Sequence, residues 1–233
     1  MTEGILRVCF RKKGVIRYIS HLDTMRMFLK AFARADIELK YSEGFNPHPR
    51  LSFALPLSVG MQSEYELAEF YTVPDENGAY PDEKAAQEAL SRELSFCGMG
   101  INFCEYYSPD KGMKPFSEIE SAEYKIVPEH PLSREDGEKA AKDLADFLGL
   151  DAINVEKRTK NGGTKTTDIK SMIFCAEIES GADGAYLRLV LSADPQKYLN
   201  PEYVISALTA KYPKFIDILG GGDIIRTRID FRK

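Results

Sequence analysis

Residues 5–10, Ile-Leu-Arg-Val-Cys-Phe, alternate and are β-prone, which predicts a first strand. A basic turn, Arg11-Lys-Lys-Gly14, leads into a second short apolar stretch at 15–19. Ser20 then has the look of a helix N-cap, with Asp23 three residues on completing a variant of the capping box. Leu22, Met25, Phe28, Leu29 and Phe32 recur at three- and four-residue steps, so one face of a helix ending near Ala35 is apolar. Arg26, Lys30 and Arg34 step by four along another face and form a basic stripe. Gly44, Pro47 and Pro49 make 41–50 irregular. Strands are predicted at 51–55 and 64–73, a helix at 82–94 and a strand at 100–107.

Residues 108–120 read as a linker, opening on Ser108-Pro-Asp-Lys-Gly-Met-Lys-Pro115. Beyond it the pattern recurs: a strand at 122–127, a helix at 133–148, and strands at 153–157, 169–179 and 186–192. A helix at 201–212 and a strand at 224–231 close the chain. The expected architecture is α+β, two tandem ferredoxin-like (βαββαβ) domains over 1–107 and 121–233. The two halves share this pattern and no sequence repeat.

Hydrophobic residues at 43% and aromatics at 11% suffice for packed cores, unlike a disordered chain. No apolar run approaches the roughly 20 residues a bilayer-spanning helix needs. The opening Met1-Thr-Glu-Gly-Ile-Leu-Arg7 lacks the basic-then-apolar layout of a secretory signal, so a cytoplasmic location is expected. Cys9, Cys97, Cys104 and Cys175 form no C-x-x-C pair and have no histidine at ligand spacing; all four read as buried small hydrophobes. Neither a metal nor a cofactor is expected. The net charge of −5 conceals a segregation: residues 1–50 carry ten Lys/Arg against five Asp/Glu, and 51–150 carry eight against twenty. Such asymmetry points to a directed electrostatic surface in the first fifty residues.

Four stretches could carry function. Arg17-Tyr-Ile-Ser-His21-Leu-Asp23 places a histidine in the first turn of a helix, where it could pack, touch a ligand, or act as a general base on an RNA 2′-hydroxyl. In 41–50, Phe45, Asn46, His48 and Arg50 stand on a proline-stiffened loop, a composition suited to stacking on unpaired bases, to gripping phosphate or to docking a protein. In 157–170, Lys157, Arg158, Lys160, Lys165 and Lys170 surround Gly162-Gly163, as at an exposed hairpin tip that could clasp a phosphate backbone. Gly220-Gly-Gly-Asp223 reads as a turn, since it matches neither a Walker loop nor a dinucleotide fingerprint.

Arg17-Tyr-Ile-Ser-His-Leu-Asp23 and the long block Tyr41-Ser-Glu-Gly-Phe-Asn-Pro-His-Pro-Arg-Leu-Ser-Phe-Ala-Leu-Pro-Leu-Ser-Val-Gly60, supported by Thr167-Asp-Ile-Lys170, give the chain a family likeness. It resembles the radical SAM-linked proteins, a bacterial domain-of-unknown-function family (DUF2344-like). The resemblance implies a partner: a radical SAM enzyme on a separate chain, because this sequence has no C-x-x-x-C-x-x-C run of its own. It also implies company with ribosomal and RNA-processing proteins, hence tRNA or rRNA as a ligand. A weaker, fold-level likeness is to the tandem ferredoxin-like endonucleases that process CRISPR transcripts, with His21 and glycines 220–222 in comparable places.

The reading that follows is a non-catalytic RNA-binding or substrate-positioning accessory protein. It would use Arg17, His21, Arg26, Arg34, the 41–50 loop and the 157–170 hairpin. The alternatives are a docking module for the same enzyme without nucleic-acid contact, and a metal-independent RNA endonuclease using His21.

Overall fold

The computed structural model describes residues 4–130, 132–158, 162–181, 184–213, 215, 219 and 221–233, without the side chains of Arg134 and Arg158. The protein is α+β and divides into two compact units, Met1–Phe116 and Ser117–Lys233. Among the described residues no helix is long and apolar enough to cross a membrane.

In the first unit the chain runs β1 (Ile5–Lys12), α1 (His21–Arg34), β2 (Leu51–Phe53), β3 (Gln62–Tyr71), α2 (Glu83–Leu94) and β4 (Met99–Tyr106). β1 pairs antiparallel with β3 and with β4, and β2 pairs antiparallel with β3. Leu6, Val8 and Phe10 alternate onto one face of β1, where they join Ala68 and Phe70 of β3, Phe28, Ala31 and Phe32 of α1, and Leu90 and Leu94 of α2 in one apolar core. Ser20 and Asp82 cap the two helices, their side chains accepting from the amides of Asp23 and Ala85.

The short apolar stretch at 15–19 lies largely in a 3₁₀ turn, Gly14–Tyr18. One detail departs from expectation. The buried stripe of α1 is Thr24, Phe28, Ala31 and Phe32, while Leu22 is 55% exposed. Phe28 and Phe32 sit in both stripes, so the helix turns their side toward the sheet and swings Leu22 outward. Arg26, Lys30 and Arg34 are exposed, as their spacing suggested.

The opposite face of the first sheet is covered as well. Arg7 is 5% exposed, donates through Nε to Glu69 Oε1 at 3.0 Å and through Nη2 to the Lys114 carbonyl at 2.8 Å. Its guanidinium lies 4.9 Å from the Tyr107 ring centroid and 4.8 Å from that of Phe116, which straps residues 107–116 over the strand.

The second unit contains β5 (Ile119–Val127), α3 (Arg134–Leu148), β6 (Asn154–Arg158), β7 (Thr164–Asp168), β8 (Ile173–Gly181), β9 (Gly184–Ser192), α4 (Pro201–Lys211) and β10 (Asp223–Phe231). β5 pairs antiparallel with β10 and β9, and β9 with β8. β6 and β7 form a hairpin of their own, off this sheet. The strand expected over 169–179 therefore begins only at Ile173. The Asp168 carboxylate accepts from the amides of Ile153 (2.9 Å) and Lys170 (3.0 Å), and a 3₁₀ turn over Lys170–Met172 breaks the run.

Candidate functional site

His21 is the first residue of α1, held there by its neighbours. The Ser20 hydroxyl accepts from the Asp23 amide at 3.1 Å and donates to the Asp23 carboxylate at 2.7 Å. The hydroxyl and the Arg26 guanidinium, 2.9 Å away, hold the Asp23 carboxyl below the usual carboxylate range. The imidazole is half-buried and meets the Phe53 ring edge-on, with centroids 4.8 Å apart.

Behind it lies a cavity of about 10 Å³, room for one water at most, lined by Phe10, Lys12, His21, Thr24, Phe53, Pro56, Leu57 and Glu66. Two of its walls are charged and out of solvent, Lys12 at 3% exposure and Glu66 at 5%. Lys12 Nζ donates to the Ile19 carbonyl at 2.8 Å. Burial pulls the Lys12 pKa below its ordinary value, and the nearby Glu66 charge works against that shift.

The segments on either side of His21 and the loop before β3 carry exposed apolar and cationic side chains. Val15, Tyr18, Leu22 and Val59 are 82%, 61%, 55% and 57% exposed. The Arg17 carbonyl accepts from the Gly60 amide at 2.9 Å, which keys the loop before β3 to the 3₁₀ turn. Gly60 has φ +93, a conformation that favours glycine. Arg17 reaches the Tyr18 hydroxyl at 2.8 Å, Lys13 pairs with Glu64 at 2.6 Å, and Arg26 pairs with Asp23.

The 41–50 loop is a braced excursion. The Ser42 amide donates to the His48 carbonyl at 2.8 Å, the His48 amide to Ser42 Oγ at 3.0 Å, and the Arg50 amide to the Lys40 carbonyl at 2.8 Å. At its tip Phe45 is fully exposed, and Asn46 and His48 are exposed beside it. Arg50 lies 4.0 Å over the Tyr71 ring. β2 separates this loop from His21: Arg50 precedes its first residue and Phe53 ends it, a span of about 10 Å. The predicted basic region of the first fifty residues is thus two local clusters. Arg17, His21 and Arg26 gather at the start of α1; Phe45, Asn46, His48 and Arg50 belong to the loop; Arg34 is the last residue of α1.

In the hairpin, Lys157 and Lys170 serve the fold. Lys157 Nζ is 5.2 Å from the Tyr203 ring and burial lowers its pKa; Lys170 Nζ donates to the Leu150 carbonyl. Lys165 is exposed. Lys160, Gly220 and the side chain of Arg158 lie outside the described residues. Of the cysteines, Cys9 and Cys104 are buried, whereas Cys97 and Cys175 are only half-buried. Among the described residues no three His, Cys, Asp or Glu side chains converge as a metal site.

Reading 11–14 as a basic turn missed Lys12 and Glu66. The signal was present: Lys12 continues the inward alternation of Leu6, Val8 and Phe10, and Glu66 that of Ala68 and Phe70.

Over residues 6–201 the chain matches a family described as an uncharacterized protein conserved in bacteria (DUF2344). The chain belongs to that family. The match takes in the start of α1, the 41–50 loop and the β6–β7 hairpin alike. DUF2344 is defined without an activity or a partner, so the tie to a radical SAM enzyme stands as a proposal. No curated protein matches the chain.

Proposed function

We propose that this chain is a non-catalytic accessory protein that binds single-stranded RNA, of transfer or ribosomal origin, and positions it for a separate radical SAM enzyme. The observation that carries the reading is Phe45: a flat apolar ring, fully exposed, on a loop whose backbone is cross-braced at Ser42 and His48. A stiff loop loses little entropy on binding, and an exposed ring stacks on any unpaired base. Asn46 offers an amide to base edges, and Lys40 and His48 stand exposed nearby for phosphate.

Two further elements belong to this reading. Each unit is taken as ferredoxin-like: the first has β-α-β-β-α-β order with strands arranged β4-β1-β3-β2, the second β10-β5-β9-β8 with the β6–β7 hairpin inserted. His21 is taken as a support for the site and not as a catalyst, because its ring packs on Phe53 over a cavity of one water's size.

The test is fluorescence anisotropy with single-stranded tRNA and rRNA fragments at two salt concentrations. Affinity should fall with salt and drop roughly tenfold in Phe45→Ala. Absence of binding at low salt would overturn the RNA reading and favour protein docking at the exposed Val15, Tyr18, Leu22 and Val59.

A further inference from the structure

A lysine at the end of a strand normally keeps its ammonium in water, as the next residue, Lys13, does with its side chain 44% exposed. Lys12, one residue earlier, is 3% exposed. A leucine or methionine there would continue the Leu6, Val8, Phe10 face without desolvating a charge. The position therefore calls for what an apolar side chain cannot do, namely donate a hydrogen bond from inside the core.

The acceptor it reaches is informative. Ile19 closes the 3₁₀ turn, its own amide donating back to the Ile16 carbonyl at 3.2 Å, and its neighbour Ser20 caps α1. The Lys12 ammonium thus holds the single peptide at which turn becomes helix. Glu66, 5% exposed on the adjacent strand, lines the same cavity, and its negative charge favours the ammonium form of Lys12. Pro56 and Leu57 of the loop before β3 complete the wall, and that loop is keyed to Arg17 through the Gly60 amide.

We infer that Lys12 and Glu66 form a buried ionic brace that positions residues 15–24 and 54–60 against each other and so presets the Arg17–Tyr18 surface as a second contact for the RNA. The inference rests on the proposed function for what is bound, and on geometry alone for the brace. Neither residue touches ligand; Lys12 acts through the Ile19 carbonyl and Glu66 through the cavity wall.

The pair can be removed without leaving a lone buried charge, by Lys12→Met combined with Glu66→Gln, compared with Lys12→Met alone. Amide hydrogen exchange is followed at Asp23, Thr24 and Gly60, whose bonds run to Ser20 Oγ, the Ser20 carbonyl and the Arg17 carbonyl. Val8 and Phe70 in the core serve as references. The brace predicts that the double variant keeps a cooperative melting transition close to the parent's. Its exchange at Asp23, Thr24 and Gly60 should rise tenfold or more with Val8 and Phe70 unchanged, and single-stranded RNA should bind several-fold more weakly. Unchanged exchange at those three amides in a folded double variant would overturn the inference. So would uniform acceleration at all five, which marks a purely global role. If the unsubstituted protein binds no RNA the proposed function fails, while the exchange comparison still decides the brace.

Discussion

The His21 imidazole meets the Phe53 ring edge-on at 4.8 Å between centroids, and Phe53 in turn meets Phe10, Phe28 and Phe70. A residue whose motif position suggested chemistry is thereby the outermost member of an aromatic stack that reaches the core. The contact ties the first turn of α1 to the end of β2.

His21→Ala should accordingly lower stability by about 1 kcal/mol, the usual worth of an edge-to-face pair. Urea unfolding checks it. A loss too small to measure would mean that the ring contact carries no energy.

Arg7→Met should be more costly. Arg7 and Glu69 side chains are 5% and 12% exposed, and removing one partner strands the other carboxylate, a loss of about 3 kcal/mol or more. Residues 107–116, strapped by Arg7, should also become easier to cleave by protease. Adding Glu69→Leu should recover much of the stability; failure to do so would assign the loss to the Tyr107 and Phe116 stacking instead.

The cysteines should separate into two classes. Burial pushes the Cys9 and Cys104 thiols up to about 12, so neither forms thiolate at pH 8. Half-buried Cys97 and Cys175 are the accessible pair, with Cys175 slowed because burial and then Glu177 raise its pKa. Mass spectrometry after brief iodoacetamide treatment of the native protein should find label on Cys97 first and none on Cys9 or Cys104.

Lys12 sets a pH dependence of definite sign. Burial lowers its folded pKa below the unfolded 10.5, so between those two values the unfolded chain binds more protons. Its contribution to stability must rise with pH across that window and level off above 10.5. Melting temperatures of the parent and Lys12→Met, compared from pH 8 to 10.5, isolate this from tyrosine titration. The parent should gain on the variant as pH increases; a constant difference would show that the ammonium is not desolvated.

Much of this molecule is written in local patterns. Leu6, Val8 and Phe10 announce a strand by period two, Ser20 announces a helix start by offering a hydroxyl three residues before an acid, and the prolines around Phe45 announce a stiff loop. These signals are legible because each depends only on near neighbours: backbone geometry repeats every two or 3.6 residues, and a cap bonds within one turn.

Tertiary structure decided the rest. Which face of α1 is buried depended on how the helix rolls onto the sheet, and that roll exposed Leu22 and hid Thr24. That Arg7 is an interior cation depended on Glu69, more than fifty residues away. Lys12 is interior beside Glu66, which lines the same cavity from another strand, and Arg226 is wholly buried 5.7 Å from the Tyr124 ring of another strand. A charge can leave water only where the fold delivers its partner, and no local pattern in the chain encodes that delivery.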